Sequence, residues 1–549
     1  MKEVTRDEGA RFDAILVGAG FAGLYMSHRL REAGKTCRVF EAGEDVGGTW
    51  YWNRYPGARC DAESLAYSFS FSPELEDEWA WSERYAAQPE ILRYLGHVAD
   101  RFDLRRDIRF ERRVETAHYD ERANEWTVTT DAGDTAVAPV VVMATGCLSV
   151  PLVPEIPGLE DFEGPQYYTG AWPHEGVDFS GQRVGVIGTG SSAIQSIPVI
   201  AEQAAALTVF QRTPNFSVPA HNHPLDPGWV ADFKKNYREH RRLHKLGLAS
   251  GFGDLEIEPK EFEPLMTSAL DPDDATFDAI CEQFWQTGGA IFLRVAQDMM
   301  IDEKANARVA DFVHRKIREV VKDPETAEML CPRSHPLGTK RLCVDTDYYT
   351  TFNRENVRLV DLQKSPIDRI SANGIRLGGA ADEPVELDAL VLATGFDAMT
   401  GALSKIDVRG VGGGTLSEKW AAGPRAYLGF MVSDFPNLFT ITGPGSPSVL
   451  SNMVTSIEQH VDLVMDCLAE MESRGAATVT VDSEAEEGWV AHVNDVASAT
   501  LMPKAGSWYL GANVPGKPRV FMPYAAGVGI YREVCEGVVA DGWRGFSFA

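Results

Sequence analysis

Two glycine-rich turns of the same kind lie 170 residues apart, each between an apolar segment and a helix-like one. The first is Gly18-Ala-Gly20-Phe-Ala-Gly23, and the second is Gly188-Thr189-Gly190-Ser191-Ser192-Ala193. Such turns let the backbone approach a pyrophosphate, which then lies at the positive end of the following helix. The chain is therefore predicted to bind two dinucleotides, and two dinucleotides in one chain permit electron transfer from one to the other.

The residues that follow each turn indicate which dinucleotide it binds. The first turn leads to an apolar segment that ends at Glu41, 23 residues after Gly18, and such an acid takes a ribose hydroxyl. The same count from Gly188 reaches Gln211, with Arg212 next. An acid would repel a 2'-phosphate, whereas an arginine grips one. The first turn is therefore predicted to bind FAD or NAD, and the second NADPH.

The composition excludes several classes of function. A length of 549 residues exceeds the roughly 250 to 300 residues that one core serves, so several domains are expected. A net charge of -28 argues against nucleic acid and anionic membrane as partners. The longest apolar run, Val140–Ala144, is too short to span a bilayer, and Met1–Arg11 does not read as a signal peptide. We predict a cytoplasmic monomer with small-molecule partners.

The cysteines carry no metal or redox motif. None of the eight shows a CxxC or CxxxxC spacing. This pattern is typical of reduced cytosolic thiols, predicts no metal site, and argues against the disulfide reductases among flavoproteins with two dinucleotides.

The order of the segments predicts a nested α/β architecture of two Rossmann-like dinucleotide-binding domains with an inserted helical subdomain. Ala-Thr-Gly occurs at 144–146 and again at 393–395, after apolar strands, and these two sites are predicted to mark the crossings between the nucleotide domains. The predicted FAD-binding domain comprises residues 1–147 and 385–549. The NADPH-binding domain comprises 148–213 and 334–384, and the helical subdomain comprises 214–333.

Beyond the turns, the chain resembles the flavin-dependent Baeyer–Villiger monooxygenases, and among them the phenylacetone and steroid monooxygenase type. The resemblance covers nearly the whole length and is specific. It is carried by Gly47–Asp61 (GGTWYWNRYPGARCD), Phe162–Pro173, Gly338–Arg341 (GTKR), Gly443–Leu450 (GPGSPSVL) and Ser507–Asn513 (SWYLGAN).

The resemblance implies a reaction. In that family NADPH reduces FAD, the reduced flavin captures dioxygen as a C4a-peroxyflavin, and the peroxide attacks a ketone to give an ester or lactone. Arg341 would stabilise the negative charge that this chemistry creates, because a guanidinium keeps its charge, and Asp61 would hold it in position.

The resemblance also implies the binding residues. Those for FAD are Glu41, Gly48, Thr49, Trp50, Asp61, Tyr67 and, beside the adenine, Val114. Those for NADPH are the second turn from Thr189 to Gln195, Trp508, and a 2'-phosphate clamp of Arg212, Thr213 and Lys340. The substrate would contact Ser448, Val449, Leu450 and Met453, which suggest an apolar pocket.

One position departs from the family pattern. The family fingerprint FxGxxxHxxxWP begins here at Phe162 and ends at Pro173, with Tyr168 in place of the histidine. Tyrosine has a hydroxyl but cannot become an imidazolium. This departure leaves open an NADPH oxidase or redox sensor that has lost coupled oxygenation. A second alternative, a flavin-dependent N- or S-hydroxylating monooxygenase, stays open because it uses the same two cofactors.

Overall fold

The computed structural model describes residues 7–247, 267–379 and 384–549. Its helices are Phe21–Glu32, Thr49–Trp52, Pro73–Glu78, Gln88–Arg101, Ser191–Gln203, Pro227–Lys234, Tyr237–Lys245, Asp274–Thr287, Glu303–Val320, Pro324–Leu330, Tyr348–Thr351, Leu416–Lys419, Met453–Arg474, Ser483–Ser498 and Val528–Ala540. Its strands are Glu8–Arg11, Ala14–Val17, Cys37–Phe40, Ile108–Arg109, Val114–Asp120, Glu125–Thr130, Thr135–Ala138, Val140–Met143, Gln166–Tyr168, Arg183–Ile187, Ala206–Gln211, Ser217–Pro219, Cys343–Asp345, Val357–Asp361, Ile367–Ser371, Gly374–Leu377, Val385–Glu386, Ala389–Leu392, Asp407–Arg409, Leu438–Thr440, Val479–Val481 and Phe546–Phe548.

The first glycine-rich turn lies in a parallel sheet built from both ends of the chain. Its strand order is Leu438–Thr440, Val140–Met143, Ala14–Val17, Cys37–Phe40 and Ile108–Arg109. All four residues of Ala14–Val17 are buried, as expected for a strand covered on both faces. The C-terminal part thus completes the first module, as predicted.

The second turn lies in a separate parallel sheet. Its order is Val357–Asp361, Ala206–Gln211, Arg183–Ile187, Ala389–Leu392 and Gln166–Tyr168. The domain boundary predicted at 385 is therefore too early, because Ala389–Leu392 pairs with Arg183–Ile187. This strand belongs to the second sheet because of hydrogen bonds to residues about 200 positions away, and the residues around the strand do not predict such a pairing.

The two Ala-Thr-Gly sites are equivalent in structure. Gly18 has φ +106°, and a Cβ there would lie 2.6 Å from the carbonyl oxygen of Ala144. Gly188 has φ +115°, and a Cβ there would lie 2.4 Å from the carbonyl oxygen of Ala393. In each module, then, the first glycine of the turn packs against the neighbouring strand, where no other residue fits.

Two linkers cross side by side between the modules. Leu152 N–H donates to the Gly395 carbonyl oxygen at 2.9 Å, and Asp397 N–H donates to that of Val150 at 2.9 Å. Backbone hydrogen bonds therefore join the outgoing and returning linkers at the positions where the sequence predicted the crossings.

Between the strands Ala206–Gln211 and Val357–Asp361, the described residues lie mostly in helices, from Pro227–Lys234 to Tyr348–Thr351. This segment also contains a short strand, Ser217–Pro219, which pairs in parallel with Cys343–Asp345. Buried Arg84 of the first module bonds to the carbonyl oxygens of Ala220 and Thr287, and so fixes this segment to the flavin side. No helix within the described ranges is long and apolar enough to cross a membrane.

Candidate active site

Arg341 and Asp61 form a bidentate ion pair at the junction of the modules. Nε of Arg341 donates to Oδ2 of Asp61 at 2.9 Å, and Nη2 donates to Oδ1 at 2.7 Å. Asp61 lies in the loop between the first module's helices Thr49–Trp52 and Pro73–Glu78, whereas Arg341 precedes the strand Cys343–Asp345. Burial lowers the pKa of Arg341, but the charge and hydrogen bonds of Asp61 together with Tyr509 and Cys60 outweigh burial and raise it, so the guanidinium stays charged.

The remaining arm of Arg341 reaches a third segment. Its Nη1 donates to the carbonyl oxygen of Val449 at 2.6 Å. Val449 lies in the short 3-10 helix Ser448–Leu450, and Ser448 has φ +45°, a strained value for a residue with a side chain. The helix Met453–Arg474 starts directly after this segment. Arg341 thus joins the predicted substrate loop to the flavin-side loop.

An apolar cluster surrounds the predicted substrate loop. It includes Val449 with half-buried Leu450, Met453 and Trp508, and its further members are Cys147, Leu148, Phe396, Ala398, Met399, Ala497, Met502, Tyr509, Leu510, Phe521, Met522 and Ala525. Methionine side chains adapt to irregular ligands. All predicted substrate residues except Ser448 belong to this cluster, and the Ser448 hydroxyl lies 3.9 Å from the sulfur atoms of Met399 and Met453.

The flavin-side residues gather around the first turn. A Cβ on Gly48 would lie 2.9 Å from Gly20 Cα, so the two glycines touch. Glu41 is buried, and its carboxylate accepts from the backbone N–H groups of Ala19 at 2.6 Å and Gly43 at 2.8 Å. Burial raises the pKa of Glu41, and these hydrogen bonds oppose that effect. The acid counted from the sequence therefore lies beside the turn, as the prediction required.

The other predicted FAD contacts lie in two places. Trp50 Nε1 donates to the Tyr67 hydroxyl at 3.1 Å, next to Thr49 at the start of the helix Thr49–Trp52. Val114 is buried at the start of the strand Val114–Asp120. The first group is thus contiguous with the turn, whereas Val114 lies in a separate sheet, in which its strand pairs with Glu125–Thr130 and Asp407–Arg409.

The second turn is tied to the predicted 2'-phosphate clamp. The Thr189 hydroxyl donates to the Thr213 carbonyl oxygen at 2.8 Å. Gly190 caps the helix Ser191–Gln203, in which Ala193 is buried where the first turn has Gly23. Ser192 lies near the start of this helix. A hydrogen bond therefore joins the turn directly to the clamp at Thr213.

Two cations of the clamp lie together. The charge of Arg212 contributes to lowering the pKa of Lys340, after burial, which is the larger cause. Across the described part of the chain, neither side chain has a hydrogen bond or an ion pair with a carboxylate. Two such cations in a chain of net charge -28 favour an anionic ligand. At the position of the missing acid, Gln211 turns away and donates to the Met329 carbonyl oxygen at 2.7 Å.

Gln195, a predicted NADPH contact, lies against the flavin-side loop. Its Oε1 accepts from the Tyr55 hydroxyl at 2.9 Å and from Arg59 N–H at 3.4 Å, and its Nε2 donates to the Arg59 carbonyl oxygen at 3.1 Å. Only one of its N–H bonds is left for a ligand. These contacts could not be predicted from the sequence, because a glutamine on a helix has no preferred partner.

Tyr168 occupies an apolar environment. It ends the strand Gln166–Tyr168, pairs with Leu392, and packs against a cluster that contains Ile187, Phe210 and Leu390. Burial raises its pKa, so its hydroxyl stays neutral. Its ring therefore fills space in the second module at the place where the family pattern has a histidine.

Sequence reasoning missed three groups around Arg341. They are the Val449 carbonyl, Tyr509, which contributes to the electrostatics of Arg341, and Asn215, whose Nδ2 donates to the Arg341 carbonyl oxygen at 3.3 Å. A backbone carbonyl leaves no trace in residue types. Tyr509 follows Trp508 in the segment Ser507–Asn513, which carries part of the family resemblance. Its position next to a predicted NADPH contact could have indicated a role at the site.

Two dinucleotide-binding modules that meet at a charged arginine define a flavin- and NADP-dependent oxidoreductase. A family model described as pyridine nucleotide-disulphide oxidoreductase matches residues 15–245. A curated Baeyer-Villiger monooxygenase from Pseudooceanicola batsensis is 43% identical over 98% of this chain and 97% of its own length. Phenazine N-monooxygenase from Lysobacter antibioticus is 38% identical over 98% of this chain and 97% of its own.

Among solved structures, oxidized steroid monooxygenase bound to NADP is 51% identical, with 98% of this chain and 99% of that chain covered and a TM-score of 0.91. This chain belongs to the Baeyer–Villiger monooxygenase family and is an FAD- and NADPH-dependent monooxygenase. All eight of its cysteines are free and buried, so it shares the dinucleotide-binding fold of the matched family model without a disulfide centre.

Proposed function

We propose that this chain inserts one oxygen atom of dioxygen beside the carbonyl of an apolar ketone, with Arg341 as the catalytic residue. The observation that carries this proposal is the position of Arg341, whose guanidinium bonds to Asp61 on the flavin-side loop and to Val449 in the predicted substrate loop. A permanent positive charge thus lies between the two places where flavin and substrate are expected.

Each residue has a distinct role. FAD, when bound, supplies the redox and oxygen chemistry. Arg341 stabilises negative charge on oxygen without changing its own protonation state, which an arginine does because it stays charged at any working pH. Asp61 orients the guanidinium through two hydrogen bonds. Neither residue transfers a proton in this scheme.

The fit to both dinucleotides rests on different features. On the flavin side, Glu41 and the touching glycines Gly20 and Gly48 suit a ribose and a pyrophosphate that approach the backbone closely. On the other side, Arg212 and Lys340 suit the 2'-phosphate of NADPH, with Thr213 beside them. Trp508, half-buried at the start of a 3-10 helix, is proposed to pack against the nicotinamide end.

The apolar cluster supports an apolar ketone as substrate. Val449, Leu450 and Met453 contribute to it, and methionines at three further positions give it adaptable walls. A bulky ketone is favoured, in keeping with the steroid monooxygenase among the solved relatives.

A ketone panel tests the proposal. Purified holoenzyme is given NADPH with phenylacetone, cyclohexanone or progesterone, and ester or lactone, NADPH consumption and hydrogen peroxide are measured together. Ester or lactone formation from at least one ketone is expected. NADPH consumption with equal peroxide and no ester in every case would instead indicate an oxidase.

A second candidate, N-oxidation, is favoured by the phenazine N-monooxygenase relative. Arg341 is not needed for attack on a nitrogen lone pair, since no oxyanion forms on such a substrate. Phenazine is therefore included in the panel. N-oxide formation that survives Arg341→Ala, without ester from any ketone, would favour this second function.

A further inference from the structure

We propose that Gln195 is a positioning residue for Arg341, which it reaches through the loop that carries Asp61. This inference rests on the proposed roles of Arg341 and Asp61. It assigns Gln195 to the junction between the modules, and it differs from the contact with NADPH that the sequence predicts for this residue.

The first step is the contact itself. The side-chain amide of Gln195 bonds to both the N–H and the carbonyl oxygen of Arg59, so it pairs with that residue as a neighbouring strand would. The Tyr55 hydroxyl fixes the orientation of the amide by donating to Oε1 at 2.9 Å. The Gln195 amide thus holds the loop by the backbone of Arg59 and by the side chain of Tyr55.

The second step is the close packing beneath this contact. Gly57 has φ +78°, and a Cβ there would lie 2.2 Å from the carbonyl oxygen of Gln195 and 3.2 Å from Val199 Cγ2. The loop from Tyr55 to Asp61 therefore lies directly on the helix Ser191–Gln203, at Gln195 and Val199. Such a contact transmits small shifts of the helix, because close-packed surfaces do not deform freely.

The third step is the path to the chemistry. Arg59 is two residues before Asp61, whose two carboxylate oxygens both bind Arg341. The same helix begins at the turn predicted to hold the NADPH pyrophosphate. Gln195 thus connects the coenzyme-binding helix to the loop that orients the guanidinium. Without this contact the loop could shift, and Asp61 would then no longer hold Arg341 in its position.

The two roles of Gln195 predict different kinetics. A positioning role predicts that Gln195→Leu lowers ester formed per NADPH about three- to tenfold and raises peroxide, because small misplacements of a catalytic group are costly. The KM for NADPH should change less than about twofold. A direct coenzyme contact predicts the reverse, a raised KM with an unchanged ester ratio.

Tyr55→Phe provides a milder variant. It removes the hydroxyl that orients the amide but leaves both Arg59 contacts, so its effect should have the same sign and be smaller. The double variant should be less than additive, since the two changes act on one contact.

Gln203→Leu is the matched control. Gln203 ends the same helix, and its side chain accepts from Phe179 N–H at 3.3 Å, away from the flavin-side loop. FAD content and melting temperature are recorded for every variant. Gln203→Leu should leave the ester ratio unchanged.

Hydrogen–deuterium exchange of the holoenzymes supplies a readout that does not depend on turnover. Amides of residues 55–61 should exchange faster in Gln195→Leu than in wild type or Gln203→Leu. Unchanged exchange there, or an unchanged ester ratio with a raised KM, would overturn the inference while the proposed function stands. Failure of wild type to form ester from any ketone would contradict the proposed function, and the exchange data would still test the contact.

Discussion

Nη1 of Arg341 donates to the carbonyl oxygen of Val449 at 2.6 Å, while the other arm of the guanidinium is held by Asp61. The catalytic candidate is therefore fixed by one charged and one neutral acceptor on different segments. The Asp61 side is the stronger of the two, because it combines two hydrogen bonds with an opposite charge, whereas Val449 offers one uncharged carbonyl oxygen. The Val449 side is thus the one from which Arg341 is released more readily.

Replacing Arg341 should abolish ester formation while FAD stays bound. Arg341→Ala is expected to lower the rate of ester formation by about a hundred- to a thousandfold, the loss typical when one charge-stabilising donor is removed. Reduction of FAD by NADPH, followed by stopped-flow absorbance, should remain measurable. Arg341→Lys keeps the charge but loses the bidentate pair with Asp61, so its rate of ester formation should lie between those of wild type and Arg341→Ala. Wild-type ester yield from Arg341→Ala would remove this residue from the mechanism.

Replacing Arg212 should change coenzyme preference. Arg212→Ala loses a charge-assisted contact, so the KM for NADPH should rise about ten- to a hundredfold while that for NADH changes little. Arg358→Ala is a suitable control, because Arg358 is exposed on the edge strand Val357–Asp361 of the same sheet. An unaltered preference in Arg212→Ala, or equal use of both coenzymes by wild type, would contradict the clamp.

NADPH binding should weaken at alkaline pH. Burial and the charge of Arg212 lower the pKa of Lys340, so this ammonium loses its proton at a lower pH than an ordinary lysine. The attraction for the 2'-phosphate is complete below that pKa and is lost as pH rises through it. The KM for NADPH should therefore rise toward high pH, and Arg212→Ala should move the rise upward. A profile for NADPH that parallels the profile for NADH would exclude Lys340 as its source.

Tyr168 tests the departure from the family fingerprint. Its ring packs among apolar residues, so Tyr168→Phe should keep folding, FAD content and ester per NADPH close to wild type. Tyr168→His places a more polar ring in this environment. If the family's histidine improves coupling, this variant should raise ester formed per NADPH consumed. A ratio that falls instead would show that tyrosine is a working alternative at this position.

Acid should destabilise the first module through His460. Its Nδ1 accepts from Thr442 N–H at 3.1 Å, and its Nε2 lies 2.7 Å from the Tyr531 hydroxyl, which donates to a carbonyl oxygen. Burial lowers the pKa of His460 to about 4. The unfolded chain therefore takes up this proton first, and stability falls as pH drops from about 6.5 toward 4, by about 3 kcal/mol. Urea unfolding at several pH values should show that the free energy of unfolding falls less steeply with decreasing pH in His460→Gln than in wild type.

The sequence was sufficient for local features with strict requirements. The glycine turns, Glu41 and the missing acid at Gln211 follow from spacing, because a dinucleotide imposes fixed distances between strand, turn and acid. The domain boundary predicted at 385 was wrong because the strand that follows it, Ala389–Leu392, pairs with the distant strand Arg183–Ile187 of the second sheet. The contact of Gln195 with Arg59 could not be foreseen either, since it joins two modules whose relative placement no local pattern encodes.

The order of the strands also sets an order of assembly. The first sheet lacks its edge strand until Leu438–Thr440 has been made, whereas the second sheet is complete at Leu392. Because domains generally fold as units during synthesis, the inner module is expected to close on the ribosome before the outer one. The sheet that carries the first glycine-rich turn, although translation begins with it, is therefore expected to be completed only after the inner module.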